Sequence, residues 1–137
     1  MPEVSLLRLY LLRAMYLLIA AGLGIVLWPS IVSSAGTAAD SNTVVMALLG
    51  SLSLLCLLGI RYPLRMLPLL IFELVWKTIW VVAFALPLWL AGTLDAYGRE
   101  TLFACMVGVV LVPLVIPWGH VYRTYLAARG EAWTRRS

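Results

Sequence analysis

The chain has 137 residues and a formal net charge of +4, yet it is 64% hydrophobic and only 12% charged. Soluble globular domains are about half apolar and about a quarter charged. A soluble protein of this length could not cover so much apolar surface, so the composition indicates a single integral membrane domain, residues 1–137. The positive charge lies beside apolar segments rather than along one amphipathic helix, which argues against a nucleic-acid-binding protein.

Apolar segments between the charged residues predict four transmembrane helices, because a spanning helix needs about 20 predominantly apolar residues. The predicted spans are residues 6–31, 43–60, 67–90 and 101–122, followed by an interfacial helix at 123–128 and a polar tail at 129–137. Each half of the chain then forms one helical hairpin. The predicted fold is all-α, an integral membrane four-helix bundle.

The first span has an alternative interpretation as a signal peptide, with Ser33-Ser34-Ala35 as its cleavage site. Its apolar stretch is longer than that of a signal peptide, which favours a spanning helix. The second span carries many small residues, which let neighbouring helices approach closely. Pro87 is expected to kink the third span, and Pro113 and Pro117 to interrupt the fourth.

The arginines predict the orientation of the bundle, since cytoplasmic loops carry an excess of Lys and Arg. With both termini in the cytoplasm, only Arg99 faces outside. The cytoplasmic set is Arg8, Arg13, Arg61, Arg65, Arg123, Arg129, Arg135 and Arg136. The first six of these are expected to face anionic lipid headgroups, although topology alone also accounts for their positions. The predicted location is the cell inner membrane.

Two opposite charges lie inside the third span. Glu73 and Lys77 are four residues apart, which places them on one face of a helix in the favourable order. At about 1.5 Å per residue, Lys77 lies about 15 Å from Leu67, near the middle of a bilayer. A lone Lys at that depth costs about 2.5–3.5 kcal/mol. The pair is therefore either a structural ion pair or part of a binding or coupling site.

Other groups at the same depth are expected to line a pocket with the pair. Pro113 removes the N–H that would bind the carbonyl of Val109, so we expect Lys77 to donate to that carbonyl. Trp next to Lys could make a cation–π contact or form the wall of a pocket. The remaining candidates for the lining are Tyr16, Ser51, Ser53, Trp76, Trp80 and Phe84.

No catalytic residue, metal site or cofactor is predicted. Cys56 and Cys105 are expected in opposite leaflets, too far apart for a disulfide, and therefore to be free thiols. The lone His120 cannot build a metal site and is expected to anchor the interface, the alternative being a proton relay with Glu73. No nucleophile–base set is evident.

The length, the four spans, the aromatic content and the block from Arg61 to Trp80 resemble small bacterial four-helix inner-membrane proteins of uncharacterised function. Small multidrug resistance transporters share the size and helix number, but their key carboxylate is in the first helix, where this chain has no acid. The translocator-protein family is rich in tryptophan but has five spans. DoxX-like proteins have four helices without a shared motif.

Three functions remain open from the sequence. The first is binding of an amphipathic or apolar small ligand, or of a partner subunit, around Glu73 and Lys77. The second is a small proton- or ion-coupled transporter, which would act as a homo-oligomer because four helices leave little room for a pathway. The third is a membrane enzyme, which the missing catalytic set disfavours.

Overall fold

A computed structural model of the chain describes residues 4–134. Within that range the protein is all helical, with no strand. Four helices are long and apolar enough to cross a membrane: α1 (Leu6–Ser34), α2 (Ser41–Arg61), α3 (Leu67–Leu90) and α4 (Ala96–Val115). A short helix α5 (Trp118–Val121) follows and continues as a π-helical turn, Tyr122–Leu126. The four predicted apolar helices are thus confirmed, whereas the predicted positions of Arg135 and Arg136 lie outside the described residues.

Polar caps decide where α2 and α4 begin. The Asp40 carboxylate accepts the backbone N–H of Thr43 at 3.0 Å, and the Thr43 hydroxyl accepts that of Asp40 at 2.9 Å. Before α4, the Asp95 carboxylate accepts the N–H of Gly98 at 2.7 Å. Such caps satisfy N–H groups that have no partner in the first turn. Both helices therefore start before the predicted residues 43 and 101.

Prolines shape the later helices. A π-helical segment, Val81–Ala85, ends two residues before Pro87 in α3. Pro87 has no N–H and would crowd the carbonyl of the preceding turn, which the wider π turn relieves. Helix α4 ends at Val115, because Ile116 takes the extended conformation that a residue before proline prefers. The fourth span is therefore displaced toward the N-terminus from the predicted 101–122.

Helices α1 and α2 pack along each other, as do α3 and α4, and fewer contacts join the two hairpins. In the first hairpin the Tyr16 ring lies directly over Gly59, where a Cβ atom would overlap it. At the same contact the Tyr16 hydroxyl donates to the Pro63 carbonyl at 2.9 Å. The small residues of α2 therefore allow the close approach that the sequence predicts.

The buried core lies toward one end of the helices. Its members come from the first half of α1, the second half of α2, the start of α3 and the end of α4, and include Leu12, Tyr16, Cys56, Leu70 and Val112. Past Ala20, α1 has no buried side chain. The hairpins are thus closely packed where the chain begins and looser beyond, and the charged pair of α3 lies at this boundary.

Candidate functional site

Glu73 and Lys77 form an ion pair on α3. The Lys77 Nζ lies 3.1 Å from the Glu73 Oε1. The Glu73 residue is 1% exposed, whereas the Lys77 side chain is 17% exposed. The contact is electrostatic, because no hydrogen bond of suitable geometry reaches Oε1 from the described residues. A buried carboxylate therefore retains hydrogen-bonding capacity that its lysine partner does not satisfy.

Gly108 of α4 provides the space that Lys77 occupies. A Cβ atom at Gly108 would lie 2.6 Å from the Lys77 Nζ and 3.0 Å from its Cδ. The Lys77 side chain thus reaches α4. Among residues 4–134, however, Lys77 does not make the predicted hydrogen bond to the Val109 carbonyl. The Lys77 Nζ also lies 5.7 Å from the centroid of the Trp76 ring, within cation–π range.

A cavity of about 360 Å³, which we call the pair cavity, lies beside Glu73 and Lys77. Helices α1, α3 and α4 form most of its wall, and these two residues are the only charged groups among the lining residues. The rest of the wall is mainly apolar, and Gly22 of α1 and Cys105 of α4 belong to it. A Cβ atom at Gly22 would meet nothing within 4 Å, so the wall of α1 is open there.

A second cavity of about 450 Å³, which we call the aromatic cavity, lies between α2, α3 and α4. Its wall includes Phe72, Trp80 and Tyr97. Leu49, Trp76 and Thr101 line both cavities, which therefore adjoin. The Trp76 Nε1 is buried and has no acceptor among the described residues. The Trp76 Nε1 and the Glu73 Oε1 thus both lack a hydrogen-bond partner among the described residues, and the two residues are three positions apart on α3 and line the same cavity.

Several predicted lining residues are not brought together with the pair. The Tyr16 hydroxyl is taken by Pro63, and Ser53 accepts the Trp28 Nε1 at 3.0 Å while donating to its own helix. Ser51 is exposed and donates to the Ala47 carbonyl at 2.9 Å. Phe84 is 60% exposed and lines neither cavity. Of the predicted set, Trp76 lines both cavities, Trp80 lines the aromatic cavity, and Val109 lines neither.

Two of the arginines predicted to face headgroups, Arg8 and Arg13, donate hydrogen bonds to carbonyls at helix ends. The Arg8 Nη1 donates to the Leu114 carbonyl at 2.6 Å, near the end of α4. The Arg13 Nε donates to the Ile60 carbonyl at 2.9 Å, near the end of α2. Cations are favoured beside the unpaired carbonyls of a helix C-terminus. Arg61 and Arg65 lie over the Tyr62 ring, and Arg129 is exposed after the last helical turn.

Some residues of the site were not predicted from the sequence. Gly108 carried a usable signal, because a glycine within a helix is costly and often marks a close approach. Cys105 lines the pair cavity as a free, buried thiol, and Cys56 is also free and buried. The part of the chain that the structure describes contains no cluster of three or more His, Cys, Asp or Glu side chains able to hold a metal ion. The arrangement is one of paired charges beside an apolar cavity.

Comparisons of the chain with protein-family models, with curated proteins and with solved structures find no match.

Proposed function

We propose that this is an integral membrane protein that binds a small amphipathic molecule in the pair cavity. Its polar group would lie against Glu73 and Lys77, and its apolar part against α1 and α4. The observation that carries the proposal is the buried Oε1 of Glu73, which accepts no hydrogen bond from residues 4–134 although it adjoins a cavity of about 360 Å³. An ionised carboxylate oxygen can accept more than one hydrogen bond, so a ligand that donates to Oε1 would add to the ion pair with Lys77.

The charges of the site favour a neutral polar group. Glu73 and Lys77 together carry no net charge, so an ammonium or carboxylate ligand would leave a net charge within the apolar helices, at a cost. A hydroxyl group can both donate to the Glu73 Oε1 and accept from the Trp76 Nε1 or Lys77. An aliphatic alcohol is the simplest probe of that chemistry.

The proposed setting is the cell inner membrane, with both termini in the cytoplasm. The membrane location is supported by the apolar side chains that are exposed along all four long helices. The contacts of Arg8 with the end of α4 and of Arg13 with the end of α2 gather basic residues at one end of the bundle. The positive-inside rule assigns such an end to the cytoplasm.

Photoaffinity labelling tests the ligand proposal. The protein, in phosphatidylcholine nanodiscs, is irradiated with a ten-carbon alcohol that carries a diazirine in its chain, and the labelled residues are mapped by mass spectrometry. We expect label at Gly22, Ala104 and Cys105, which line the cavity, and competition by 1-decanol. Ammonium and carboxylate analogues of the same probe should label these residues less.

Matched variants make the test specific. The double variant Glu73→Gln/Lys77→Met removes both charges, and cavity labelling should fall about tenfold or more, the value of a hydrogen bond to a charged group. Ser51→Ala is the control, because the Ser51 hydroxyl bonds only within its own helix. Equal labelling of outward-facing residues such as Phe103, or no effect of the double variant, would contradict the proposal.

A small proton- or ion-coupled transporter, acting as a homo-oligomer, is the second candidate. It is favoured by the two cavities, which adjoin at Leu49, Trp76 and Thr101. Together they extend from Glu73 to Asn42 and Tyr97, near the starts of α2 and α4. Proteoliposomes loaded with the pH dye pyranine test this: proton flux should be present in the wild type and absent in Glu73→Gln.

A further inference from the structure

The aromatic cavity differs from the pair cavity in the chemistry of its wall. Its described lining residues include no charged side chain, whereas Glu73 and Lys77 line the pair cavity. Four of the residues that line the aromatic cavity have aromatic side chains: Phe72, Trp76, Trp80 and Tyr97. The two cavities therefore favour different chemical groups in a ligand.

The aromatic cavity is large enough for a small organic molecule. Its volume of about 450 Å³ lies within the range of about 300–1,000 Å³ that is typical of small-molecule sites. On α2 its wall extends from Asn42 to Leu49, about 10 Å at a rise of about 1.5 Å per residue. A flat molecule of a few fused rings has a similar length. Aromatic side chains attract such rings by offset stacking and by edge-to-face contact.

The cavity is open between α2 and α3. Val45 and Leu48 of α2 and Phe72 of α3 line it, and each of these residues is about half exposed. Both helices are long and apolar enough to cross a membrane, so an opening between them would face hydrocarbon. A ligand that enters there has to be neutral and largely apolar, because a charged group among apolar helices is costly.

The indole of Trp76 adds a hydrogen-bond donor to this wall. Its Nε1 is buried and has no acceptor among residues 4–134, although a buried indole N–H usually has one. By contrast, the Nε1 of Trp28 donates to Ser53, and that of Trp118 donates to the Pro113 carbonyl. Because the Trp76 nitrogen is covered by its neighbours, a small rotation of the indole has to accompany the binding of an acceptor.

From these observations we infer that the aromatic cavity binds a neutral, flat aromatic ketone whose carbonyl oxygen accepts the Trp76 N–H. Its rings lie against Phe72, Trp80 and Tyr97. A ketone is uncharged and only accepts hydrogen bonds, so it needs no acceptor from a wall that is mainly apolar. A lipid acyl chain in the same space would leave the Trp76 N–H without an acceptor. This second site does not depend on the binding of an alcohol in the pair cavity.

Photolabelling with benzophenone tests the inference, because this aromatic ketone forms a covalent bond to nearby C–H groups when it is irradiated. The protein is labelled in phosphatidylcholine nanodiscs, and the labelled residues are mapped by mass spectrometry. We expect label at Val45 and Leu48, which line the aromatic cavity but not the pair cavity. Fluorenone should compete about fivefold more strongly than fluorene, which has the same rings without the carbonyl, since a neutral hydrogen bond contributes about that factor.

Trp76→Phe keeps an aromatic ring and removes the N–H, so it should abolish the advantage of fluorenone over fluorene. Trp89→Phe is the matched control, because Trp89 is on the same helix, is 56% exposed and lines neither cavity. Equal competition by the two compounds in the wild type, or the same effect from Trp89→Phe, would overturn the inference. Label at Gly22 and Cys105 instead would also overturn it, since these residues line only the pair cavity of the two. The ketone and alcohol sites are thus read at different residues, and either proposal can fail without the other.

Discussion

Glu73 is the one charged residue that is fully buried among those the structure describes, and Lys77 is the cation beside it. The Glu73 carboxylate is removed from water, and the Lys77 ammonium, 3.1 Å away, compensates its charge. Removing one member leaves the other uncompensated, whereas removing both leaves a neutral surface. The two members therefore depend on each other more than either depends on its apolar neighbours.

This dependence predicts a strong coupling between substitutions. Lys77→Met should lower the free energy of unfolding by about 3 kcal/mol, because it leaves Glu73 buried without a counter-charge. Adding Glu73→Gln should restore most of that loss. Thermal unfolding in detergent, followed by tryptophan fluorescence, measures both effects. Single variants as stable as the wild type would show that the pair is not coupled in this way.

Gly108 gives a second prediction at the scale of one residue. Gly108→Ala places a Cβ atom 2.6 Å from the Lys77 Nζ, so the lysine must move away from α4. Because the atoms it would meet belong to the far end of a flexible side chain, the lysine can shift, and we expect a loss of about 1 kcal/mol in stability, the low end of overpacking costs. Gly22→Ala is the matched control, since its Cβ atom would meet nothing within 4 Å. Equal melting temperatures for the two variants would contradict the close contact.

At the scale of elements, the first hairpin depends on the contact between α1 and α2. The Tyr16 ring covers Gly59, and the Tyr16 hydroxyl bonds to Pro63 in the following turn. Arg13 donates to the Ile60 carbonyl close by, which adds a second link at the same height. One side of α1 thus binds both the end of α2 and the turn toward α3.

Gly59→Ala tests this arrangement. The added methyl group would overlap the Tyr16 ring, so α1 and α2 must separate, and a loss of about 1–3 kcal/mol in stability is expected. Gly24→Ala serves as the control, because its Cβ atom would lie 4.0 Å from the nearest atom, an ordinary contact with Trp28. Denaturant titration of the two variants should separate them clearly.

Prolines and caps explain the helix ends. Pro87 was expected to disturb α3, and the π-helical segment Val81–Ala85 precedes it. Pro113 and Pro117 were expected to interrupt the fourth helix; α4 continues through Pro113, so that part of the prediction was wrong, and it ends at Val115, two residues before Pro117. The Pro113 carbonyl, which Pro117 deprives of its helical partner, accepts the Trp118 Nε1 at 2.9 Å. Free carbonyls among apolar helices need such partners.

On the scale of the whole molecule, the start of α1 and the ends of α2 and α4 are gathered by Arg8 and Arg13. The two connections Ala35–Asp40 and Ala91–Asp95 then belong to the opposite end of the helices. If the helices cross a membrane, the two ends face different compartments. The orientation is open to direct measurement.

Cysteine labelling in whole cells tests the proposed orientation. In a background with Cys56→Ala and Cys105→Ala, a membrane-impermeant maleimide should label Ala35→Cys and Thr93→Cys from outside. Arg65→Cys should react only after the membrane is permeabilised, because the positive-inside rule keeps basic turns in the cytoplasm. The reverse pattern would contradict the proposed orientation while leaving the fold unaffected.

The local features of the chain could be predicted from the sequence alone. The four apolar helices follow from hydropathy, the disturbances at Pro87 and Pro117 from the missing N–H, and the pairing of Glu73 with Lys77 from a spacing of one helical turn. The starts of α2 and α4 were placed too late, because the caps at Asp40 and Asp95 extend each helix into polar sequence. Each of these features depends on residues close together in the chain.

The site depends on residues that are far apart in the chain. Gly108 lies under Lys77, Gly22 faces the pair cavity, and Arg8 meets Leu114 because the hairpins pack with a particular rotation and height. Ser51, Ser53 and Phe84 have suitable depth in the sequence, yet the packing turns them toward other partners or the surface. Hydropathy specifies that a helix is buried in lipid or protein but not which side faces its neighbours, since nearly every side of these helices is apolar.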